Sequence, residues 1–376
     1  MDLSLTPAEL AFRDEIRAWL QANNPGRGPE DIEENFDFRL AWQHTLHDAG
    51  FAGIAWPREY GGRGATPVEQ TLFNEEMVRA RAPAPANILG LIMGGPVVMA
   101  HGTEAQKQRF LSPILSGDEV WCQGFSEPDA GSDLAAARTR GERVQGGWKV
   151  TGQKVWTSFA HRARWCMLLA KTNDEPRYRN LSYFICDMQQ AGVSVRPLRQ
   201  STGESEFNEV FFDGAFVPDD NIIGSEGGGW NVALATLMFE RPGLGAASAL
   251  GIRMTLTELA ELIRARDLQG DAAIRRRFAK LVAETETIRL NGYRGLARAG
   301  DGVPGPEGSI VKIQWASINQ AMTELAFDVL GEAALLDGSP WTYRLLRARA
   351  NSIEGGTSEI QRNILAERVL GLPRLR

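Results

Sequence analysis

The stretch Trp121-Cys-Gln-Gly-Phe-Ser-Glu-Pro-Asp-Ala-Gly-Ser-Asp133 decides how the rest of the chain is organised. Its strand-like residues lead into a turn rich in Pro, Asp and Gly. A second segment, Gln153-Lys-Val-Trp-Thr-Ser158, adds a tryptophan and two hydroxyl groups. Such a patch can present backbone amides and hydroxyl donors to a planar, acceptor-rich ligand, with the indole covering one face. A hydroxyl-rich β-turn without a function is the alternative.

The chain before this stretch has helical patterns. Thr6, Pro7 and Glu9 form an N-cap, a proline at the first helical position and the glutamate of a capping box. This signal predicts a helix that ends near Asn23. Further helices are predicted over Phe36–Ala49, Pro67–Arg79 and Thr103–Leu115. Residues 1–117 are therefore expected to form an N-terminal helical domain.

From Glu119 onward the pattern is typical of strands. Short runs rich in β-branched and aromatic residues are bounded by Gly, Asn, Asp and Pro, as in an antiparallel sandwich or barrel. We expect residues 118–225 to form a middle antiparallel β domain. The predicted strands cover Trp148–Thr151, Trp165–Ala170, Leu181–Cys186, Val193–Val195 and Glu209–Phe212.

Long amphipathic helices return after Gly224, and the predicted fold class is α+β. Gly227-Gly228-Gly229 lacks the strand–glycine–helix context of a nucleotide-binding loop, so we interpret it as a lead-in to a helix. Residues 226–376 are expected to form a helical bundle. Its predicted helices are Trp230–Arg266, Asp271–Ala299, Ser309–Leu336, Thr342–Ala350 and a last one that runs from Thr357 or Ser358 to Leu370.

Composition argues against several classes of function. The net charge is −6 and the charges are interspersed, so no basic stripe suggests a nucleic acid or an anionic membrane as partner. Only four histidines occur, which argues against a metal site. The three cysteines, Cys122, Cys166 and Cys186, share no metal-ligand spacing. Their apolar, strand-like surroundings predict buried free thiols in a reducing compartment.

The sequence also shows no targeting or membrane segment. The acidic start, Met1 to Pro7, has no cationic residues followed by an apolar run. The longest apolar tract, Ile88 to Ala100, is interrupted by three glycines and a proline and is too short to span a bilayer. We therefore expect a soluble, cytoplasmic protein.

Two motifs and the order of the domains resemble the acyl-CoA dehydrogenase family over essentially the whole chain. The motifs are residues 121–133 and Ile353-Glu-Gly-Gly-Thr-Ser-Glu-Ile-Gln-Arg-Asn-Ile-Leu-Ala-Glu-Arg-Val-Leu-Gly-Leu-Pro373. The resemblance implies FAD, an acyl-CoA substrate and electron-transferring flavoprotein as electron acceptor. It further implies conversion of an acyl-CoA to the trans-2-enoyl-CoA, with hydride transfer to flavin N5. The similarity is greatest to bacterial members that act on bulky, branched, dicarboxylyl or steroid side-chain acyl-CoAs.

The resemblance also assigns roles to individual residues. Ser132, Arg241 and Gly355 fall on substrate-side positions, and the backbone N–H of Gly355 can donate to the thioester carbonyl. Ser132 is shared with the cofactor site. The implied flavin contacts are Gln123, Phe125, Ser126, Gly131, Ser132, Trp156, Ser158, Thr357 and Glu359.

The resemblance offers two positions for the base that removes the α-proton. The commoner position, immediately before Gly356-Thr357, holds Gly355, which has no side chain. Glu354 lies one residue earlier, and that offset near a helix start turns a side chain by roughly 100°. The other position, on the first bundle helix just before an arginine, holds Glu240. We therefore predict Glu240 as the base, with Glu354 as the alternative.

The residues around Glu240 predict whether its helix is buried. Ala233, Leu237 and Leu244 share a face with Glu240 and form an apolar stripe, which implies burial. The alternative is a solvated helix residue without a catalytic role.

Departures from the family pattern bear on assembly. Members commonly carry an Arg-x-x-Phe-Gly segment that reaches the FAD of the neighbouring subunit. Here the region has Arg264-Ala-Arg-Asp-Leu-Gln-Gly270, followed by the cluster Arg275–Arg277. The resemblance implies a homo-oligomer, dimer or tetramer, and these departures leave a hetero-oligomer open. An acyl-CoA oxidase and a non-catalytic partner subunit are the two alternatives to a dehydrogenase.

Overall fold

The structure is a computed structural model that describes residues 4–239, 244–298, 307–335 and 339–373. Residues Glu240 and Arg241, to which the sequence assigns catalytic and substrate roles, lie outside this part of the chain.

The chain divides into two compact units. The first consists of Met1–Asn24, Thr66–Ala82 and Arg241–Arg376. The second consists of Pro25–Ala65 and Pro83–Glu240. The boundaries of the three domains predicted from the sequence stay a prediction.

Eleven helices are present among the described residues. In chain order they are α1 Pro7–Asn23, α2 Ile32–Asp48, α3 Pro67–Arg79, α4 Gly95–His101, α5 Glu104–Ser116, α6 Gly229–Phe239, α7 Leu244–Ala265, α8 Ala272–Arg298, α9 Glu307–Leu330, α10 Pro340–Ala348 and α11 Ser358–Ile364.

The strands occupy the stretch between α5 and α6. They are β1 Trp121–Gly124, β2 Arg140–Val144, β3 Gly147–Ser158, β4 Trp165–Lys171, β5 Leu181–Asp187, β6 Val193–Leu198, β7 Phe207–Pro218 and β8 Ile222–Ile223.

The helix starts follow the capping residues. The Thr6 hydroxyl accepts a hydrogen bond from the Glu9 amide, and the Glu9 carboxylate accepts one from the Thr6 amide at 2.7 Å. This capping box starts α1 where the sequence predicts. The start of α2 differs from its prediction at Phe36. The Asp31 carboxylate accepts from the amides of Glu33 and Glu34, so α2 begins at Ile32 instead.

The second unit is built on one sheet with the strand order β6-β7-β3-β2-β4-β5-β8. The pairs are antiparallel, except that β1 and β2 each pair with β4 in parallel. Alternating hydrophobicity predicts strands but not the direction in which they pair, which explains why the parallel pairs were not predicted. The three cysteines are free and buried within this sheet, as predicted.

The first unit is a helical bundle around the apolar faces of α7, α8 and α9. Its other helices include α1 and α3, which a buried carboxylate ties together. Glu76 on α3 pairs with Arg17 of α1 and with Arg79. The predicted α+β fold, with helices before and after a β region, is therefore confirmed.

Three regions of the bundle differ from their predictions. The last helix, predicted to reach Leu370, ends at Ile364 and is followed by a π-helical segment, Leu365–Val369. The helix predicted over Trp230–Arg266 is described as α6 and α7, with residues 240–243 outside the described part. The helix predicted to reach Leu336 ends at Leu330 and is followed by a 3₁₀ segment, Gly331–Leu335. Across the described residues, no helix is both long and apolar enough to cross a membrane.

Candidate active site

The motif that opens the β region folds as a tight turn on the end of β1. Glu127 and Ala130 exchange two backbone hydrogen bonds of 3.1 Å each, which closes the turn over Pro128 and Asp129. The amide of Val155 in β3 donates to the carbonyl of Ser126 at 2.9 Å. This bond places Ser126 beside the residue that precedes Trp156, so the structure brings the two quoted segments together.

A buried ion pair between Lys154 and Glu127 stabilises the turn. Lys154 in β3 is 0% exposed, and its Nζ lies 2.8 Å from Oε1 of Glu127. The same ammonium donates to the carbonyl of Phe125 at 3.0 Å. The Glu127 carboxylate also accepts from the amides of Arg138 and Thr139, at 2.6 and 2.9 Å. One carboxylate and one ammonium therefore hold together three segments of the chain, at residues 125–127, 138–139 and 154.

These contacts determine the protonation state of Glu127. Burial acts to raise its pKa, but the charge of Lys154 and the hydrogen-bond donors around the carboxylate outweigh burial, so the pKa of Glu127 lies below its ordinary value. Glu127 is thus a structural carboxylate that stays ionised at neutral pH.

Trp156 is displayed by a distortion of β3. The β3–β7 ladder shifts register between Lys154 and Thr157, which marks a β-bulge. Trp156 has φ 60°, a backbone conformation that non-glycine residues rarely adopt, and its side chain is 60% exposed. Phe207 of β7 packs edge-on against the indole, with ring centroids 5.9 Å apart. Strained backbone clusters at active sites and ligand clamps, so the exposed indole marks a candidate ligand surface.

A second network fixes the backbone on the other side of Trp156. The buried side chain of Asn208 donates to the carbonyl of Thr157 at 3.0 Å. Nδ1 of His161 lies 3.1 Å from Oδ1 of Asn208, and Nε2 of the same ring lies 2.9 Å from Glu33 on α2. The bulge is therefore anchored through side chains to a helix of the same unit.

The other predicted flavin contacts in this unit occupy different environments. The ring of Phe125 is buried edge-on against Tyr183, with centroids 5.8 Å apart, so this side chain belongs to the core and faces no open surface. Gln123 is half-buried, and its amide nitrogen lies 3.9 Å from the sulfur of Met93. Gly131 and Ser132 are exposed at the end of the turn, and Ser158 is half-buried at the end of β3.

The C-terminal motif forms a turn in the first unit. Gly355 and Gly356 have φ 62° and 86°, which favour glycine at both positions. Thr357 caps α11 by accepting from the amide of Ile360 at 3.2 Å. Glu359 is exposed and pairs with Arg362. The backbone of the turn is therefore set by two glycines and a helix cap.

Glu354, the alternative base, is engaged in a fork of hydrogen bonds. Arg347 on α10 donates to both of its carboxylate oxygens, at 3.1 and 2.9 Å. The amide of Asn351 donates to Oε1 at 2.8 Å. A bidentate guanidinium binds both carboxylate oxygens and so fixes the orientation of the side chain. The Glu354 side chain therefore serves to fasten the turn.

In the apolar stripe predicted along the helix that leads to Glu240, Ala233 is buried and Leu237 is half-buried, while the side chain of Leu244 lies outside the described part. Ala233 and Thr236 of α6 are fully buried, and the Thr236 hydroxyl donates to the carbonyl of Val232 at 2.9 Å. Gly229 starts the helix where a Cβ would lie 2.5 Å from the backbone of Ser182 in β5. Gly229, the last glycine of the triplet, thus allows a close approach between α6 and β5.

Comparisons with known proteins show similarity over nearly the whole chain. The family descriptions "Acyl-CoA dehydrogenase, N-terminal domain", "middle domain" and "C-terminal domain" match residues 6–118, 122–215 and 227–370. Acyl-CoA dehydrogenase IpdE1 of Mycobacterium tuberculosis is 42% identical over 96% of this chain and 97% of its own length.

The chain belongs to the acyl-CoA dehydrogenase family. Two solved structures are similar over 100% of both chains at 28% identity. They are described as the Tcur3481-Tcur3483 steroid ACAD, with a TM-score of 0.86, and the ChsE4-ChsE5 complex from Mycobacterium tuberculosis, with a TM-score of 0.84. The resemblance, the fold and the enzyme class predicted from the sequence are thereby confirmed.

FAD is the cofactor of the family, and the residues of this dehydrogenase fit it. An isoalloxazine ring needs an apolar face to stack on and donors for its ring nitrogens and oxygens. The exposed indole of Trp156 offers the face, and the hydroxyls of Ser126 and Ser158 offer donors on adjoining segments.

The supporting residues Lys154, Asn208 and His161 were not identified from the sequence. A lysine in a strand is usually exposed. The burial of Lys154 could not be predicted because its ion-pair partner, Glu127, lies on another segment of the chain. The one available signal was that Lys154 lies in the second quoted segment, Gln153–Ser158, two residues before Trp156.

Proposed function

We propose that this dehydrogenase converts an acyl-CoA thioester to the trans-2-enoyl-CoA, with Glu240 removing the α-proton. When bound, FAD supplies the acceptor for the hydride that leaves Cβ. An α-proton beside a thioester is weakly acidic, so the carbonyl must accept hydrogen bonds while negative charge develops on it. The backbone N–H of Gly355 is proposed as one of these donors.

The observation that carries the choice of base is the hydrogen bonding of Glu354. Its carboxylate receives three donated hydrogen bonds from Arg347 and Asn351, which occupy both oxygens and hold the side chain on the turn, so it is not free to face a substrate. Glu240, which follows the buried face of α6, is then the carboxylate best suited to the role.

The proposal extends to the cofactor and substrate contacts. Trp156 covers one face of the isoalloxazine, while Ser126 and Ser158 donate to its polar edge. Phe125 contributes through its backbone, because its ring is buried. The remaining proposed cofactor contacts are Gln123, Gly131, Ser132, Thr357 and Glu359. Arg241 and Ser132 are proposed to face the substrate.

We further propose that the acyl group is bulky, with a branch or ring near the reacting carbons. Gly355 brings no side chain to the position where many relatives carry the base, so volume is left beside the reacting carbons. The name of one similar structure, a steroid ACAD, supports a substrate of this class.

The proposed assembly is a hetero-oligomer of this chain with an unlike chain of the same fold, with electron-transferring flavoprotein as the electron acceptor. Both similar structures named above carry the names of two different chains. A homodimer or homotetramer is the alternative that measurement of the native mass distinguishes. The buried free thiols support a reducing cytoplasm as the location.

The test is an anaerobic titration of the purified yellow holoenzyme. The panel contains straight-chain, branched, dicarboxylyl and steroid side-chain acyl-CoAs, and loss of flavin absorbance reports dehydrogenation. The expected result is bleaching that is fastest with a branched or steroid side-chain thioester. Absence of bleaching by every thioester would contradict the proposed reaction and favour a non-catalytic subunit.

Admitting air to the bleached enzyme identifies the electron acceptor. A dehydrogenase regains its colour slowly in air and rapidly with electron-transferring flavoprotein. Rapid recovery in air alone would identify an acyl-CoA oxidase.

A further inference from the structure

Gln361 on α11 lies directly against the C-terminal turn. Its side chain is 2% exposed, and Nε2 donates to the carbonyl of Gly355 at 2.9 Å. A Cβ built on Gly356 would lie 2.7 Å from the same nitrogen, which shows how closely the amide packs on the turn. Oε1 of Gln361 is buried, and no partner for it occurs among the described residues. This amide thus makes its one side-chain hydrogen bond to the turn.

The turn needs such support because two consecutive glycines form it. Gly355 and Gly356 are both exposed, and glycine has more accessible backbone conformations than any other residue. Without contacts that hold it, a Gly-Gly segment would adopt many conformations, and its N–H groups would point in many directions. A backbone N–H that is to meet a substrate carbonyl must instead point in one direction before the substrate binds.

Two anchors flank Gly355, one on each side. On the N-terminal side, the carboxylate of Glu354 is held by Arg347 and Asn351. On the C-terminal side, the carbonyl of Gly355 is held by Gln361. The φ and ψ torsions of Gly355 are the two rotations that relate its N–H to its carbonyl. Fixing the chain on both sides therefore fixes the direction of the Gly355 N–H.

We propose that Gln361 is a positioning residue, which aims the backbone N–H of Gly355 at the thioester carbonyl of the substrate. The inference rests on the proposed function, in which Gly355 is a donor to that carbonyl. Gln361 itself touches neither substrate nor cofactor. Its contribution is to the rate of α-proton removal and not to retention of FAD.

The experiment compares variants of the holoenzyme by stopped-flow flavin reduction without oxygen. The substrate is the acyl-CoA of the panel that bleaches the flavin fastest, at saturating concentration. Gln361→Met keeps the side-chain length and removes the donor. Asn363→Met, an amide-to-methionine change at an exposed position of the same helix, is the matched control.

The expected result is a reduction rate about 10–100-fold lower in Gln361→Met, because small misplacements of a reacting group cost rates of that order. FAD content, thermal midpoint and substrate dissociation constant stay near those of the native enzyme. Asn363→Met keeps the native rate. A native reduction rate in Gln361→Met would overturn the inference, as would a rate that falls only in proportion to lost FAD.

Gln361→Glu gives a second test of the role of Gln361. This test is sufficient if Gln361→Met does not fold. An ionised glutamate cannot donate to the Gly355 carbonyl, whereas a protonated one can. The reduction rate of Gln361→Glu, divided by that of the native enzyme at each pH, should therefore rise as the pH falls from about 8 to about 5. A ratio independent of pH would overturn the inference.

The Glu240→Gln variant separates this inference from the proposed function. If Glu240→Gln reduces its flavin at the native rate, the proposed function fails whatever Gln361 does. If Glu240→Gln is slow while Gln361→Met and Gln361→Glu behave as the native enzyme, only the role of Gln361 fails.

Discussion

At the scale of single residues, replacing each candidate base by glutamine distinguishes Glu240 from Glu354. Glu240→Gln should keep the fold, FAD and much of the substrate affinity, but slow flavin reduction at least ~10²–10⁴-fold, because a general base is lost. Glu354→Gln should do much less, since Arg347 and Asn351 already occupy that carboxylate. Single-turnover reduction of both variants checks the ranking, and the reverse order would reject Glu240 as the base.

Trp156 supports a prediction about the cofactor. Trp156→Ala removes the exposed face without removing the strained backbone, so the variant should lose FAD more readily and show an altered flavin absorption band. The control is Phe216→Ala, which removes another exposed aromatic ring of the β region. FAD release during dialysis and the visible spectrum are the measurements. Full FAD and an unchanged spectrum in Trp156→Ala would contradict the flavin placement.

Individual residues were predictable to the extent that their roles depend on local sequence. Thr6 and Thr66 each form a capping box within four residues, and the helices they cap begin where predicted. Gln361 and Lys154 act on carbonyls or carboxylates that other segments bring to them, so their roles depended on the folded structure. The burial of Phe125 was missed because its partner, Tyr183, lies on β5.

At the scale of elements, the pair formed by Lys154 in β3 and Glu127 in the preceding turn predicts a stability effect. Lys154→Met leaves Glu127 as a buried charge without its partner, which costs about 3–5 kcal/mol of unfolding free energy. The combined change Lys154→Met and Glu127→Gln should cost less, because no charge is then left buried. Urea unfolding followed by tryptophan fluorescence tests this order. Equal losses in the single and double variants would show that the charges are not coupled.

The same pair sets a dependence on acid. Because the pKa of Glu127 is lowered by folding, its stabilisation is complete above the ordinary glutamate value of about 4.3 and disappears as the pH falls through the lower, folded value. The unfolding free energy of the native enzyme should therefore fall below about pH 4 more steeply than that of Glu127→Gln. Matching slopes for the two proteins would contradict the lowered pKa.

Helices and strands could be predicted where apolar residues recur regularly along one face. They could not be predicted where glycines interrupt that recurrence. The tract Ile88–Ala100 was interpreted only as too broken to span a membrane, yet it forms a π-helical turn, Gly90–Gly94, followed by α4. Gly94 and Gly95 lie so close to Trp121 and Trp56 that a Cβ would be 2.9 and 2.0 Å from their rings. Here glycines let a helix approach two tryptophans, and nothing in the local sequence indicates that contact.

At the scale of the whole molecule, the arginines near the start of α8 bear on how the enzyme is completed. The resemblance places Arg264–Gly270 and the cluster that follows it where members of the family commonly carry a segment expected to reach the FAD of the neighbouring subunit. Within that cluster Arg277 pairs with Asp328 of the same unit, while Arg275 and Arg276 are exposed. A guanidinium engaged with its own chain is less available to a phosphate of a neighbouring subunit's cofactor.

We therefore predict that the chain purified alone binds less than one FAD per chain, and that co-expression with an unlike chain of the same fold, as in the proposed assembly, raises the ratio. The physical reason is that an identical neighbour offers the same replaced segment, so the pyrophosphate of FAD lacks the contact that the family usually provides. Native mass spectrometry gives the subunit composition, and the ratio of flavin to protein absorbance gives the stoichiometry. A homotetramer that holds one FAD per chain and turns over acyl-CoA at full rate would show that the exposed pair Arg275 and Arg276 suffices, and that the assembly needs no second kind of chain.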